Sequence, residues 1–463
     1  MAKKSILLLT FILVTSISAL AEFSNYRIRH IEFPEKIITR ETTILRELEF
    51  AIGQQYDRIA LDSLILKSEK NLLNTALFNF VTLTPNYKDD KVDIKIELIE
   101  RWYIWPYPLF EISDRNINSW LKDKDYSRLN YGLFLVWDNF TGRKDKLKVL
   151  VRLGHEDKLG LFYNLPALNP KKTLGFDMGI SYGRKYEVGV TSVNDKLVYY
   201  KDSLGYVRKE FNSFFTFIYR PQIHNSSSIK LEYTNSQFSD SLLFNYPNYT
   251  VNNLKKLSYL SLSVRYVSDY RDYIFYPLTG YYFDVEFEKY GFGLMQSNGV
   301  DFYTFKAKFN MYHQILDKWY YAWGLSAKFS SDDVQPYQLQ RGLGYIKDYI
   351  RAYELYVLDG KNYGLFKSNL KFELVQRKLH TFNFLRNERF DKLFYAFYIN
   401  LFADAGYVND LDYSKYNTLT NELQYSYGIG FDFVTYYDIV FRTEYSRNKQ
   451  NESFLFFHLM API

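Results

Sequence analysis

The chain has 463 residues, room for about two or three compact domains, and is unusually rich in aromatic side chains. Tyr, Phe and Trp number 45, 39 and 6 and make up 19% of the chain, while 24% of its residues are charged. A disordered chain would lack these aromatics, and a helical membrane protein would show apolar runs of about 20 residues. The composition instead favours many half-buried strands.

Net charge and cysteine usage exclude further classes. The formal charge is +6, and it is spread evenly along the chain rather than clustered. Such a charge predicts no nucleic-acid partner. The chain has no cysteine, which excludes disulfides, thiolate metal ligands, a thiol nucleophile and a lipid-anchored cysteine.

The first 21 residues have the pattern of an export signal. Lys3 and Lys4 precede an apolar run from Ile6 to Ile17, and Ala19-Leu20-Ala21 matches the small residues that a signal peptidase accepts. An uncleaved membrane anchor is the alternative, but the run is too short to span a bilayer. We predict a signal peptide over residues 1–21 and a mature chain that begins at Glu22.

Residues 22–102 are predicted to form a small α+β domain with the order strand, helix, helix, strand, strand. Asp57 is placed to cap the longer helix, and Gly53 lies just before it. In the last strand the apolar residues from Val92 to Leu98 alternate with charged ones, the period-two pattern of a half-buried strand. The order and these positions resemble a POTRA domain, the periplasmic module of the BamA and TamA outer-membrane assembly and translocation superfamily.

The resemblance to a POTRA domain implies a mode of binding. Such domains accept an extended client segment at a sheet edge through main-chain hydrogen bonds, which suits a receptor for many unfolded chains. We expect that edge around Val92 to Leu98. From the residues alone, any small α+β domain with a polar edge strand stays open.

Residues 103–463 show repeated alternation of apolar and polar residues, as in Tyr281 to Phe287 and Phe305 to Met311. A soluble sandwich and a membrane barrel both show this periodicity. The export signal and the density of Tyr and Phe favour a transmembrane antiparallel β-barrel. At about 22 residues per strand and connection, the segment would hold about sixteen strands.

Three segments make the resemblance to the superfamily specific. The first resembles its D-x-R-D turn and P-x-x-G turn before a barrel strand, and its matching residues are Asp269, Arg271, Asp272, Pro277 and Gly280. Taken alone, such a turn would be ordinary.

The second segment lies in a stretch from about Ser330 to Tyr363 that has no strand pattern and is too long for a hairpin turn. Ile350, Arg351, Ala352 and Tyr353 in this stretch resemble the V/I-R-G-F/Y motif at the tip of the superfamily's long sixth extracellular loop, which folds into the lumen. Ala352 stands where glycine is usual, and alanine makes a positive φ less accessible.

The third segment, Phe402-Ala403-Asp404-Ala405-Gly406, resembles the superfamily's F-x-D-x-G motif in a late strand. The resemblance implies that Arg351 of the loop pairs with Asp404 inside the barrel. A buried arginine needs such a partner because its charge cannot be neutralised. From the residues alone, Arg351 could equally be a solvated loop cation.

Prolines mark the first and last predicted barrel strands. Pro106 and Pro108 lie in the first, Tyr103 to Ile112, and Pro462 lies in the last. Because proline cannot donate to a ladder, we expect a poorly bonded seam if these strands meet. This meets the physical requirement for a lateral gate, and a loosely closed barrel is the other interpretation.

Catalytic patterns are weak. The G-x-S-x-G match at Gly179 to Gly183 lies in an alternating strand rather than the strand–turn–helix of a nucleophile elbow. The six histidines show no paired ligand spacing. We predict no enzymatic activity, no metal and no cofactor.

The resemblance therefore implies an outer-membrane protein that assembles, inserts or translocates polypeptides. Its POTRA-like domain would lie in the periplasm of a Gram-negative-type bacterium and receive unfolded clients, and its barrel seam would act as a lateral gate. Membrane lipid and accessory outer-membrane or periplasmic proteins are the further partners expected. The alternative is a passive channel or structural barrel without insertase activity.

Overall fold

We analysed a computed structural model of the chain. It describes residues 25–112, 128–169, 171, 173–202, 205–293, 300–331, 335–345, 348–381, 392–410, 414–435 and 439–459. The predicted signal peptide over residues 1–21 and Pro462 lie outside the described residues. The chain divides into two compact units between Arg101 and Trp102.

The first unit is a four-stranded sheet with two helices. Its elements are β1 (Tyr26–Glu32), α1 (Glu41–Leu45), β2 (Gln55–Tyr56), α2 (Arg58–Asn74), β3 (Phe78–Lys88) and β4 (Lys91–Glu100). The Asp57 carboxylate caps α2 by accepting from the Ala60 N–H at 2.9 Å. Alternate residues of β4, among them Val92 and Ile94, are fully buried. The strand order is β2-β1-β4-β3, with β1 and β4 parallel.

The prediction that Val92 to Leu98 form an edge strand of the small sheet is wrong. Val92 to Leu98 belong to β4, which lies inside the sheet between β1 and β3. Alternation shows that one face is buried, but it cannot show which strands lie on either side. The outermost strands are β3 and the two-residue β2. Strand β3 is blunted, because Glu69 accepts from the Leu83 N–H at 2.8 Å and Pro85 has no N–H.

The second unit is one large antiparallel sheet. Its sixteen strands are β5 (Ile104–Ile112), β6 (Leu129–Asp138), β7 (Lys146–Gly154), β8 (Glu156–Leu165), β9 (Leu174–Lys185), β12 (Arg208–Tyr219), β13 (Asn225–Phe238), β14 (Lys256–Asp269), β15 (Gly280–Tyr290), β16 (Phe302–Leu316), β17 (Trp319–Ser330), β18 (Asn362–Thr381), β19 (Lys392–Asn409), β20 (Gln424–Thr435), β21 (Ile439–Asn448) and β22 (Ser453–His458). Each strand pairs with the next in this order, so the sheet is an up-and-down meander. A separate hairpin, β10 (Glu187–Val193) with β11 (Lys196–Lys201), follows β9.

Connections add little regular structure. A short helix, α3 (Asp240–Asn245), follows β13, and three-residue 3₁₀ helices lie at Val251–Asn253, Tyr337–Leu339 and Ser414–Tyr416. Within the described part of the chain, no helix is both long enough and apolar enough to span a bilayer.

The two faces of the large sheet differ in polarity. Apolar side chains such as Ile180, Ile229 and Leu401 are about half exposed on one face. Charged and amide side chains such as Lys371 and Asn400 are completely buried on the other. A soluble sandwich would bury the apolar face, whereas a membrane barrel turns it toward lipid. The predicted fold class, a small α+β part followed by a transmembrane barrel of about sixteen strands, is confirmed.

Candidate functional site

The connection between β17 and β18 enters the barrel lumen. We call residues 335–361 the lumen loop, within which 335–345 and 348–361 are described. Ile350 and Tyr353 of this loop are 1% exposed and pack with Leu365 of β18 and Val408 of β19 in one apolar cluster. The apolar residues of this stretch pack in the lumen cluster and not on a face of the sheet. This explains why the stretch has no period-two pattern.

Arg351 lies at the centre of the loop's polar contacts. Its guanidinium and that of Arg442 are among the largest fully buried side chains described. The Arg351 Nε donates to the Asp404 carboxylate at 2.8 Å, its terminal nitrogen donates to the other oxygen, and its backbone N–H donates at 3.1 Å. The remaining N–H groups reach Asn369 Oδ1 at 3.1 Å and the Ser368 carbonyl at 3.0 Å. The structure brings together the two residues that the motif resemblance paired.

The other residues of the F-x-D-x-G segment shape the site. Phe402 lies under the guanidinium, with Arg351 Cζ 3.9 Å from the ring centroid, a cation–π contact. A Cβ at Gly406 would lie 2.6 Å from Ile350 Cδ1. The glycine therefore leaves the space into which the loop residue before the arginine packs.

The loop tip adopts the conformation that alanine disfavours. Ala352 has φ +67°, so the tip has the positive φ that glycine would adopt more readily. Neighbouring contacts hold this backbone in place: Asn448 Nδ2 donates to the Ala352 carbonyl at 3.4 Å. The Tyr353 hydroxyl donates to Gln450 Oε1 at 2.8 Å and contacts Gln424 Oε1 at 3.0 Å. Tertiary contacts outweigh the local preference.

The D-x-R-D turn joins β14 to β15 at the rim where β5 begins. Asp269 and Arg271 form a two-pronged ion pair, with Nε to Oδ1 at 2.8 Å and a terminal nitrogen to Oδ2 at 2.6 Å. Asp272 accepts from the backbone N–H groups of residues 273, 278 and 279. Gly280 has φ +97°, and a Cβ there would overlap the Tyr270 carbonyl at 2.0 Å. The motif residues therefore fix the turn itself.

The turn also contacts the inner wall of the barrel. The Tyr276 hydroxyl donates to Asp432 at 2.7 Å, and the Pro277 carbonyl lies 3.5 Å from Lys371 Nζ. Asp432 in turn holds Arg442 through two hydrogen bonds at 2.5 Å. Alternation predicts that Arg442 faces inward, but Tyr276, Asp432 and Lys371 have no motif that marks them, and sequence reasoning missed them.

One charged network joins the turn to the lumen loop. Glu444 Oε1 lies 3.6 Å from Arg442 and 3.5 Å from Arg351. The side chains of Arg351, Arg442 and Glu444 are all fully buried. A charge buried in this way requires a partner, and each of these has at least two. The arrangement holds two inserted segments against β18–β21.

Strands β5 and β22 are the two ends of the sheet that the described residues form. Among the described residues, no backbone pairing joins β5 to β22, and β22 pairs with β21 over only six residues. Pairing of β5 with β6 continues through Pro106 and Pro108. Proline has no N–H to donate to β6, so the backbone nitrogens of Pro106 and Pro108 face away from β6. The opposite edge of β5, at the seam, therefore lacks two N–H groups.

The G-x-S-x-G match lies wholly within β9, Leu174–Lys185. Ser181 pairs across the sheet with Gly160 and Asn212, so no helix follows it. The segment is a barrel strand and not a nucleophile elbow.

Comparisons with known proteins agree with this architecture. No protein-family model matches the chain, and no curated protein sequence matches it. Among solved structures, the chain is similar to BamA from Haemophilus ducreyi lacking POTRA domains 1-3, with a TM-score of 0.51 and 15% identity over 93% of this chain and 83% of that chain. It is also similar to CdiB from Escherichia coli, with a TM-score of 0.52 and 10% identity over 93% of this chain and 75% of that chain.

The fold and the lumen define a class: a transmembrane β-barrel with an inserted loop and a small α+β unit. Within that class, the chain has the fold of the BamA and CdiB barrels. The superfamily resemblance stated from the sequence is confirmed at the level of the fold.

Proposed function

We propose that this protein is a non-enzymatic outer-membrane factor that inserts or translocates polypeptides. In this proposal the barrel seam is a lateral gate, and the first unit is a POTRA-like domain that receives unfolded clients in the periplasm of a Gram-negative-type bacterium. The fold shared with BamA and CdiB supports it. Membrane lipid surrounds the barrel, and accessory outer-membrane or periplasmic proteins are further proposed partners.

The observation that carries the proposal is that, among the described residues, no strand pairing joins β5 to β22. In the bilayer core each unsatisfied backbone polar group costs several kcal/mol, so an open strand edge gains much from a new partner. Strand β22 presents a short edge, and β5 presents an edge that lacks two N–H groups. An incoming client strand can pair there by main-chain hydrogen bonds, without regard to its side chains.

The first unit offers one open strand edge for a client. The contacts of β1 with residues 53–56 end at Ile28. Within the described residues, no strand pairs with the outer edge of β1 from Arg29 to Glu32. His30 and Glu32 are exposed there. We therefore assign client binding to this edge of β1 rather than to β4.

A seam crosslink tests the gate. The chain has no cysteine, so paired cysteines can be introduced without background. Phe110 of β5 and Leu455 of β22 are both exposed on the lipid face, at 83% and 56%. Cysteines at these two positions, joined by bifunctional reagents of increasing length, should close the gate. Tyr445 lies directly opposite Leu455 in the β21–β22 ladder, so a Tyr445–Leu455 cysteine pair crosslinks one strand of the same seam without closing it.

Crosslinking across the seam should abolish client insertion or secretion, while the control pair should leave it unchanged. Equal activity of both crosslinked proteins would instead favour a passive channel or structural barrel. A photo-reactive residue at His30 gives a separate test of the client-binding edge. It should capture unfolded outer-membrane or secreted proteins, and the same residue at Ile94, buried in β4, should not.

A further inference from the structure

Three side chains with metal-binding atoms converge beside the lumen loop. They come from separate elements: Glu354 from the loop, Glu444 from β21 and His458 from the end of β22. One oxygen or nitrogen of each lies within 4.8 Å of the others. Spacing along the chain could not reveal this group, because its members are separated by 90 residues or by one hairpin.

The distances within the group suit metal ligands. His458 Nε2 lies 3.2 Å from Glu444 Oε2 and 3.5 Å from Glu354 Oε1. Ligands at about 2.0–2.2 Å from a tetrahedral zinc ion stand about 3.3–3.6 Å from one another. Glu444 Oε2 is buried and, in the described part of the chain, makes no hydrogen bond; the same holds for His458 Nε2. His458 Nε2 therefore lies within ion-pair distance of both carboxylates.

The neighbouring arginines contact one oxygen of Glu444. Arg351 is paired with Asp404, and Arg442 is paired with Asp432. Both arginines approach Oε1 of Glu444, which leaves Oε2 directed toward the histidine.

We propose that Glu354, Glu444 and His458 form a zinc site. Imidazole nitrogen and carboxylate oxygen are both zinc ligands, and three protein ligands with water as the fourth make a tetrahedral site. Tyr349 stacks on the His458 ring at 5.9 Å and orients it. His458 keeps 13% of its side chain exposed, which gives the ion a path of entry. The bound ion ties the lumen loop to the strand that borders the seam.

Metal titration of the purified full-length protein in detergent tests this site. After chelator treatment, the wild type should bind one Co²⁺ per chain with the visible absorption bands of tetrahedral coordination, and Zn²⁺ should displace it. Losing an outer partner of a metal ligand already weakens binding about 10- to 100-fold. His458→Gln should therefore weaken binding by at least about 100-fold. His313→Gln, at an exposed histidine of β16, should leave binding unchanged.

The result that overturns the proposal is equally direct. If the wild type binds no stoichiometric Co²⁺, or if His458→Gln binds it as tightly, the site does not exist. A second variant, His458→Lys, places an ammonium between the carboxylates but removes the imidazole ligand. If the group binds zinc, this variant should bind no Co²⁺ and should be less stable than the metal-bound wild type. If His458 serves only as an ion-pair partner, the variant should be as stable as the wild type. If His458→Gln does not fold, Glu354→Gln on the loop provides the same comparison.

Discussion

The Arg351–Asp404 pair should behave as one unit in stability measurements. Replacing Asp404 with alanine leaves a fully buried guanidinium with only Asn369, the Ser368 carbonyl and a Glu444 oxygen at 3.5 Å. Removing one partner of a buried pair costs about 3–5 kcal/mol, because the remaining charge is uncompensated. Arg351→Ala should cost a similar amount, because it leaves the Asp404 carboxylate buried.

The double variant should be no less stable than the worse single variant. The expected coupling free energy is therefore at least the smaller single effect, about 3–5 kcal/mol. Urea unfolding of the refolded protein in detergent micelles measures it through a double-mutant cycle. The matched control is Arg265 with Asp284, an ion pair between β14 and β15 that is 43% and 17% exposed. Its coupling should be about 0.2–1 kcal/mol.

Additive losses would refute this reasoning. If the effects of Arg351→Ala and Asp404→Ala add within about 0.5 kcal/mol, the two residues act independently despite their contact. A coupling as small as that of the control pair would lead to the same conclusion. Proteolysis at the lumen loop offers a second readout, because release of Arg351 should make residues 348–361 accessible to protease.

Three further predictions concern single positions. Gly406→Ala places a Cβ against Ile350 and should destabilise the barrel by about 1–3 kcal/mol in urea unfolding; no loss would show that the loop yields without cost. Ala352→Gly should stabilise it by about 1 kcal/mol in the same assay, because glycine adopts φ +67° without strain, and a loss would contradict this. The Arg29 hydrogen bonds lower the pKa of the Asp93 carboxyl in the folded protein. Their stabilising effect is therefore fully present above the unfolded pKa of about 3.9, and it is lost as the pH falls through the lower folded pKa. Hydrogen exchange of β1 and β4 should show this pH dependence, and Asp93→Asn should remove it.

Two segments inserted from opposite rims are held by one network. The β14–β15 turn enters at the rim where β5 begins, and the lumen loop enters at the other. Their contacts meet through Arg442 and Glu444. A change in the position of either segment can therefore affect the other through these buried ion pairs. Since Arg442 and Glu444 belong to β21, next to the last strand, the network also connects both segments to the strands near the seam.

Several features could be predicted from the sequence because they depend on local pattern. Period-two alternation predicts the strands, the length of the segment predicts their number, and Asp57 caps α2 as expected. The motif resemblance named Arg351 and Asp404, which are 53 residues apart and which no periodicity connects. Here the information came from the likeness to a family and not from the residues alone.

Only the tertiary structure decided which elements become neighbours. It placed β4 inside the small sheet, since alternation reports burial of a face and is silent about the strands on each side. It held Ala352 at a positive φ, because contacts from Asn448 and around Tyr353 outweigh the local cost for alanine. It brought Glu354 to His458, because closing a sheet around an inserted loop sets distances that sequence separation does not encode.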